Sequence, residues 1–252
     1  MINRSRGIRL LKALLSLGRR RSWGPFVETF ESTKFDHAFS VSWSQSAEDL
    51  ALLAVFGELR NGKYLDIGAH HPSRFSVTRH LFQMGWSGVN VDANEDLIDE
   101  FLIQRPRDIS LNYCVGSRKE YLLSVFDETA ISTVNPVWDK KFLDEKNTKK
   151  LTRLVPGITL RKLLEDFFPE KGPDFLNIDI EGADFDAIGS GDIGNLPIQQ
   201  RPTWILAEST PPLEKTLETD TVRLLISYGY EIWLVLPYAC LLRIRTNQKI
   251  SK

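Results

Sequence analysis

The sequence predicts an α/β fold: a mostly parallel, seven-stranded sheet of Rossmann-like type, with helices on both faces and an antiparallel closing strand. Three observations predict it. Short apolar runs alternate with stretches whose apolar residues recur at helical spacing. The central runs, Lys63 to Ile67 and Phe175 to Ile178 among them, are largely apolar, as strands covered on both faces must be. Successive runs end on carboxylates: Asp66, Asp92, Asp179 with Glu181, and Glu208. Ligands in open α/β sheets sit at the C-terminal ends of the strands, so the recurrence of acids there marks a site rather than a core.

The elements follow in order. Residues 1–43 read as a basic N-terminal tail and lead-in. Ser46-Ala47-Glu48-Asp49 reads as a helix start, with Ser46 as cap and two acids in the first turn. That helix runs through Leu50, Leu53 and Ala54 and stops near Gly57. Lys63 to Ile67 is the first strand. Ser73 to Met84 is a helix with Gly85 as its C′ residue. Val89 to Val91 is the second strand. Asn94 caps a helix from Glu95 to Gln104, on which Leu97, Ile98, Phe101 and Leu102 share a face. Ile109 to Val115 is the third strand.

The alternation then weakens. Tyr121 to Phe126 has strand character, but Asp127 to Arg153 is polar and lysine-rich, so 116–157 reads as an insertion or lid over the site. Thr159 caps a helix through Leu160, Leu163 and Leu164. Phe175 to Ile178 is the fourth strand and Trp204 to Ala207 the fifth. Thr221 to Tyr228 is helical. Tyr230 to Val235 and Leu241 to Arg245 form a closing pair around Pro237. Residues 44–252 thus read as one domain, with Trp204 and Trp233 in its core.

With 252 residues, 42% hydrophobic and 26% charged, the chain can bury one sizeable core. Cys114 and Cys240 have no zinc-type spacing and sit in apolar stretches, which predicts two reduced, buried thiols and a cytoplasmic location. Net charge is −1, unevenly spread. Residues 1–21 carry seven Lys and Arg and no acid; without them, 25 bases face 33 acids, a net charge of −8. An acidic body excludes nucleic acid as the main partner. Leu10, Leu11, Leu14 and Leu17 share one helical face beside Arg9 and Lys12. That pattern suits either peripheral contact with an anionic membrane at its inner face or a solvated tail. The stretch is too short to span a bilayer. Oligomeric state is not encoded in any pattern.

The loop after the first strand selects the cofactor. A dinucleotide fingerprint would read Gly-x-Gly-x-x-Gly. This loop reads Gly68-Ala69-His70-His71-Pro72-Ser73, with His70 where the second glycine would admit a pyrophosphate. A nucleoside cofactor without a pyrophosphate fits better, and S-adenosyl-L-methionine is one. Asp92, 24 residues after Gly68, suits its ribose hydroxyls. Asp66 and the backbone near Gly68 suit its cationic amino-acid end.

The ordered series Ser44-Gln45-Ser46-Ala47-Glu48-Asp49, Tyr64 to Pro72, Gly85-Trp86-Ser87-Gly88, Asp92-Ala93-Asn94, Arg105-Pro106, Ile131-Ser132-Thr133, Thr159-Leu160 and Asp174 to Gly182 resembles the FkbM-type methyltransferases over about residues 44–210. The resemblance implies a class I methyltransferase core and O-methylation of a hydroxyl on a saccharide or natural product, often in glycan assembly. Ala47 and His70 depart from it, standing where glycine and asparagine are usual.

The candidate cofactor-binding residues are Gln45, Glu48, Asp66, Gly68, His70, Asp92, Ala93 and Asn112. The candidate catalytic residues are Asp179, Glu181 and His71. If strand geometry continues past Ile178, Asp179 and Glu181 share a face. They then serve as base and orienter, or as a divalent-metal pair, and the sequence leaves both open. His70 and His71 also read as an ordinary polar loop pair. Two rival functions remain: a non-catalytic cofactor-binding domain of a glycan assembly complex, and a nicotinamide-dependent Rossmann oxidoreductase.

Overall fold

The computed structural model describes residues 41–145, 148–209 and 212–245; the expectations for residues 1–21 lie outside these. The main sheet has seven strands: β1 (Lys63–Ile67), β2 (Ser87–Asp92), β3 (Ile109–Asn112), β7 (Phe175–Ile178), β8 (Trp204–Glu208), β9 (Tyr230–Val235) and β10 (Ala239–Ile244). Their order is β3-β2-β1-β7-β8-β10-β9, and β10 alone runs against its neighbours. The predicted fold class is therefore the observed one. The chain leaves β1 for β2 on one side and returns to β7 on the other. This switch in strand order sets a crevice at the strand ends, beside the loops after β1 and β7.

Strand periodicity assigns each residue to a layer. Leu65 and Ile67, Leu176 and Ile178, Ile205 and Ala207 face one layer, where they pack on helices α5 (Leu160–Phe167), α6 (Asp184–Gly189) and α8 (Asp220–Ser227). Tyr64, Phe175 and Leu206 face the other, against α1 (Glu48–Phe56) and α2 (Arg79–Gln83). Helix α3 (Glu95–Gln104) lies beside β2 and β3, and α7 (Leu213–Glu218) precedes α8.

Several local expectations hold. Asn94 Oδ1 accepts from Asp96 N, and Thr159 Oγ1 accepts from Lys162 N at the start of α5. Gly85, at φ +94°, ends α2 with Trp86 N donating to Leu81 O. Both cysteines are free and buried.

Others need correction. Ser46 does not cap α1. Ala47, in the left-handed region, stands at that position, and the Glu48 carboxylate takes the Ser46 N–H instead. The helix predicted from Ser73 shrinks to five residues, because Thr78 is pulled inward to a buried carboxylate. Leu102 is exposed, and only Ile98 and Phe101 of its predicted face are buried. The third strand breaks at Tyr113, whose N–H donates to Asp92 O. Its remainder, β4 (Cys114–Val115), joins a second sheet. Trp233 is 52% exposed because β9 is an edge strand; it meets Trp204 edge-on and lies under the Arg243 guanidinium.

Within 116–157, β5 (Glu120–Phe126) pairs antiparallel with β6 (Lys149–Ile158) along the whole length of β5. A 3-10 turn at Thr129–Ile131 and helix α4 (Pro136–Asp144) connect them.

One buried polar chain ties the loop after β1 to α3. Asp66 is 1% exposed and accepts from Thr78 Oγ1 at 2.6 Å and from Asn177 Nδ2, on the neighbouring strand, at 2.9 Å. Arg105, fully buried, donates to Thr78 Oγ1, Ser76 Oγ and twice to Pro72 O. Its ring neighbours Phe101 and Phe82 offer their faces. Arg105→Leu would leave these acceptors unpaired and Asp66 without its nearby cation. It is expected to lower unfolding stability by about 3–5 kcal/mol, as breaking a buried ionic network does, read as a lower urea midpoint at unchanged slope.

Candidate active site

The site begins with a missing side chain. Gly68 ends β1 at φ +75°, and a Cβ there would stand 1.8 Å from the Asp179 carbonyl oxygen. Only glycine allows both the backbone angle and the approach. The loops after β1 and β7 therefore touch, with Gly68 N and Ala69 N donating to Val91 O and Asp179 N donating to Ile67 O.

Two chambers open from this contact. The first has mainly apolar walls, including Ile67, Val91, Tyr113, Val115, Leu123 and Val134, with Asp92 among them. The second is wider, about 330 Å³ against about 70 Å³, and is lined by Gln45, Glu48, Asp66, Asn177, Glu128, Glu208 and Tyr238 among others. Five residues line both: Gly68, His70, Ala130, Asp179 and Glu181. These form the neck.

Asp92 Oδ2 accepts from His70 N at 2.8 Å and Oδ1 from Asn94 N at 2.7 Å. Burial raises its pKa to about 6, against the pull of those two bonds. Each oxygen keeps a lone pair for a hydroxyl in the chamber. Ala93 lines the same chamber. Asn112 lines neither; its Nδ2 donates to Asp92 O and Ala93 O and so shapes the turn from behind.

His70 adopts φ +53°, a region asparagine tolerates well. Its Nε2 lies 2.9 Å from Thr129 Oγ1, and its ring stacks on Phe75. Burial lowers its pKa to about 4, so the imidazole is neutral. Arg74 reaches Glu128 with both guanidinium nitrogens, so the loop after β1 is latched twice to the inserted layer. His71 falls outside both chambers. Its Nδ1 faces the Ser73 and Arg74 N–H groups and caps the loop.

Asp179 and Glu181 do reach one neck, but not through strand geometry. β7 ends at Ile178, and Glu181 turns left-handed at φ +51°, followed by Gly182 at φ +86°. Asp179 is open to the crevice, yet loss of solvent from the crevice walls, then the charges of Glu48 and Asp66, raise it to about 6. Burial, then Asp179, Glu208 and Asp184, raise Glu181 to about 8, while Lys141 opposes. Glu208 is raised to about 7 by burial and Asp179. Asp184, 5% exposed at the start of α6, is pushed well up by burial, Glu208 and Asp179, and its Oδ1 has no hydrogen-bond partner among the described residues. Among the described residues, no three His, Cys, Asp or Glu side chains converge to hold a metal ion.

The sequence reading left Asn177 and Asp184 out of the site, and it marked Glu208 at a strand end without giving it a role. Asn177 carried a usable signal, an amide inside an otherwise apolar strand. Lys141 had none, since only the fold of the insertion brings its charge near Glu181 and Glu208.

The domain described as methyltransferase FkbM matches residues 66–232, about two thirds of the chain. No curated protein matches. Among solved structures the chain is similar to methyltransferase FkbM from Methylobacillus flagellatus KT, at 14% identity and TM-score 0.45, over 94% of this chain and 59% of that one. It therefore spans about three fifths of that protein's length. It is also similar to a TehB-like SAM-dependent methyltransferase from Corynebacterium glutamicum (12% identity, 84% and 92% covered, TM-score 0.42). A third is precorrin-6y C5,15-methyltransferase from Geobacter metallireducens (11% identity, 82% and 95% covered, TM-score 0.43). Among the described residues, no helix is long and apolar enough to cross a membrane.

The raised carboxyls set a pH dependence of stability. Glu181 has a folded pKa above its ordinary value of 4.5, so its contribution is complete below that value and is lost as pH rises through about 8. The melting temperature of the ligand-free protein should fall between pH 5 and pH 9. Glu181→Gln should flatten that fall and raise the melting temperature at pH 8, by about 2–4 °C per kcal/mol of repulsion removed. Differential scanning fluorimetry across this range reads both.

Proposed function

The chain belongs to the FkbM methyltransferase family, and on that footing we propose that it moves a methyl group from S-adenosyl-L-methionine to a hydroxyl of an uncharged saccharide or natural product. The observation that carries the reading is the pair of chambers joined at a neck of Gly68, His70, Ala130, Asp179 and Glu181.

The residues fit this cofactor. Gly68 leaves the cradle that a Cβ would fill, apolar walls suit an adenine, and the Asp92 carboxylate suits ribose hydroxyls. Negative charge from Asp66, Glu48 and Asp179 suits a cationic ligand at the neck. When bound, S-adenosyl-L-methionine supplies an electrophilic methyl on a sulfonium. At the second-glycine position of a dinucleotide loop stands His70, latched by its backbone to Asp92 and by its ring to Thr129, which disfavours a nicotinamide cofactor.

The chain's residues then divide the proton work. Much of the catalysis in such a transfer is positioning, and a base near the acceptor oxygen helps because a neutral hydroxyl is a poor nucleophile. Asp179, with a pKa near 6, is ionised at neutral pH and takes the acceptor's proton. Glu181, near 8, keeps its own proton there and donates a hydrogen bond to the acceptor. Two carboxyls with values pushed apart by environment are a familiar acid–base assignment.

Charge also restricts the acceptor. Glu48, Asp66, Glu128, Asp179, Glu181 and Glu208 line the second chamber, and among the described residues no Lys or Arg lines it. A phosphorylated or carboxylated acceptor would enter against six carboxyl groups; a neutral polyol would not.

Calorimetry should show binding of S-adenosylhomocysteine, weakened by about 1.5–3 kcal/mol in Asp92→Ala, the worth of charge-assisted hydrogen bonds. Absence of binding by the wild type overturns the cofactor reading.

Transfer of label from methyl-tritiated cofactor to a panel of neutral glycosides should exceed transfer to sugar phosphates. Its rate should follow a bell with limbs near pH 6 and pH 8 and drop about 10²–10⁴-fold in Asp179→Asn. A normal rate in that variant removes Asp179 as the base, and binding without transfer to any acceptor favours a non-catalytic role.

A further inference from the structure

Glu181 and Gly182 are both left-handed, and Glu181 pays for this with a conformation that costs on the order of 1–3 kcal/mol in a non-glycine residue. Such a turn persists only where its surroundings fix it. Those surroundings come from the inserted layer. Thr133 Oγ1 donates to Glu181 O at 2.8 Å, and Asn135 Nδ2 donates to Gly182 O at 2.7 Å. The Trp138 ring lies so close over Gly182 that a Cβ there would stand 2.3 Å from it.

The direction of each bond is determined. A carbonyl only accepts, so the Thr133 hydroxyl must give its proton to Glu181 O; its lone pair then takes the Asn135 N–H at 2.9 Å. The Asn135 amide is oriented likewise, because Oδ1 accepts from Val137 N at the start of α4, which leaves Nδ2 for Gly182. Thr133 is itself 2% exposed and is held by two backbone bonds to Ser124 on β5. The anchor is therefore rigid. One helical turn further, Lys141 Nζ stands 4.1 Å from the Trp138 ring centroid, and its charge acts on Glu181 and Glu208.

We infer that Thr133 and Asn135 are positioning residues for methyl transfer: they clamp the Glu181–Gly182 turn from the inserted layer, and so keep the Glu181 carboxyl at the neck between the two chambers. This rests on the reading of that neck as the place of transfer. It also gives the insertion a task beyond covering the site, since α4 begins at the clamp and any acceptor that contacts α4 bears on the Glu181 turn.

The test uses four variants of the full chain. Thr133→Val removes the hydroxyl at constant shape, Thr133→Ser restores it, and Asn135→Asp keeps the α4 cap but loses the donor to Gly182. Glu181→Gln identifies the Glu181 signal in ¹³C-carboxyl NMR by its disappearance. In the wild type, Glu181 should titrate near pH 8. In Thr133→Val and Asn135→Asp its midpoint should fall by at least about one unit, a tenfold change in proton affinity, as the carboxyl leaves the acidic neck. Thr133→Ser should titrate as the wild type.

S-adenosylhomocysteine affinity is measured in parallel. Failure of the wild type to bind it counts against the cofactor reading alone and leaves the titration to decide the clamp. A Glu181 midpoint unchanged in folded Thr133→Val and Asn135→Asp overturns the clamp. So does an equal fall in Thr133→Ser, which would mark loss of packing rather than of the hydroxyl. If Thr133→Val does not fold, Asn135→Asp decides.

Discussion

The structure turns on the close approach of two loops at Gly68. The Asp179 carbonyl occupies the space a side chain would need, so the chain segments after β1 and β7 meet at the point where strand order reverses. Everything functional is arranged around that contact. Asp92 comes to one side of it from β2, Glu208 to the other from β8, and the crevice divides into two chambers because the loops nearly close it. A side chain at 68 would push the loops apart and merge or collapse the chambers. The constraint is steric and local, yet it sets the separation of every carboxyl in the site.

Electrostatics follow from that geometry. Bringing Asp179, Glu181 and Glu208 into one crevice, with the buried Asp184 near enough to act on them, is unfavourable for four ionised carboxylates, and burial adds to the repulsion. The result is a graded set: Asp179 near 6, Glu208 near 7 and Glu181 near 8. Protons are therefore held by the cluster at neutral pH, and they titrate as a coupled set. A cluster of this kind destabilises the apo fold as pH rises, which is the usual relation between a functional site and stability. Asp66 lies deeper, and burial raises its carboxyl as well, opposed by its bonds to Thr78 and Asn177 and by the nearby Arg105.

The inserted layer is integral to the site. It supplies Thr129 to the His70 ring and Glu128 to Arg74 on one side of the neck. On the other side it supplies Thr133, Asn135 and Trp138 to the Glu181–Gly182 turn. The exposed Arg74–Glu128 pair contributes little energy, about 0–1 kcal/mol. The part-buried carbonyl contacts on the other side are the firmer attachment, since each satisfies a backbone group.

Much of this was legible in the sequence, because its signals are local. The strands of the main sheet, the Asn94 and Thr159 caps, Gly85 beyond α2 and the acids at strand ends all follow from short-range chemistry: periodicity, side-chain capping and the preference of glycine for positive φ. The resemblance to the FkbM family rested on the same short segments, and the domain match bears it out. The tertiary structure alone decided the rest. β6 was hidden because its partner β5 lies some thirty residues earlier and its lysines and exposed leucines blur the alternation. His71 was assigned to chemistry by residue type, whereas its ring nitrogen is taken by two neighbouring N–H groups. Asn112, read from the sequence as a cofactor contact, donates its Nδ2 to the carbonyls of Asp92 and Ala93. Glu181 reaches the neck by a left-handed turn that no strand pattern encodes, held by residues almost fifty positions earlier in the chain. A sequence displays which groups can react. Which of them face one another depends on long-range contacts, and these exist only once the sheet, its crossovers and the inserted layer have packed.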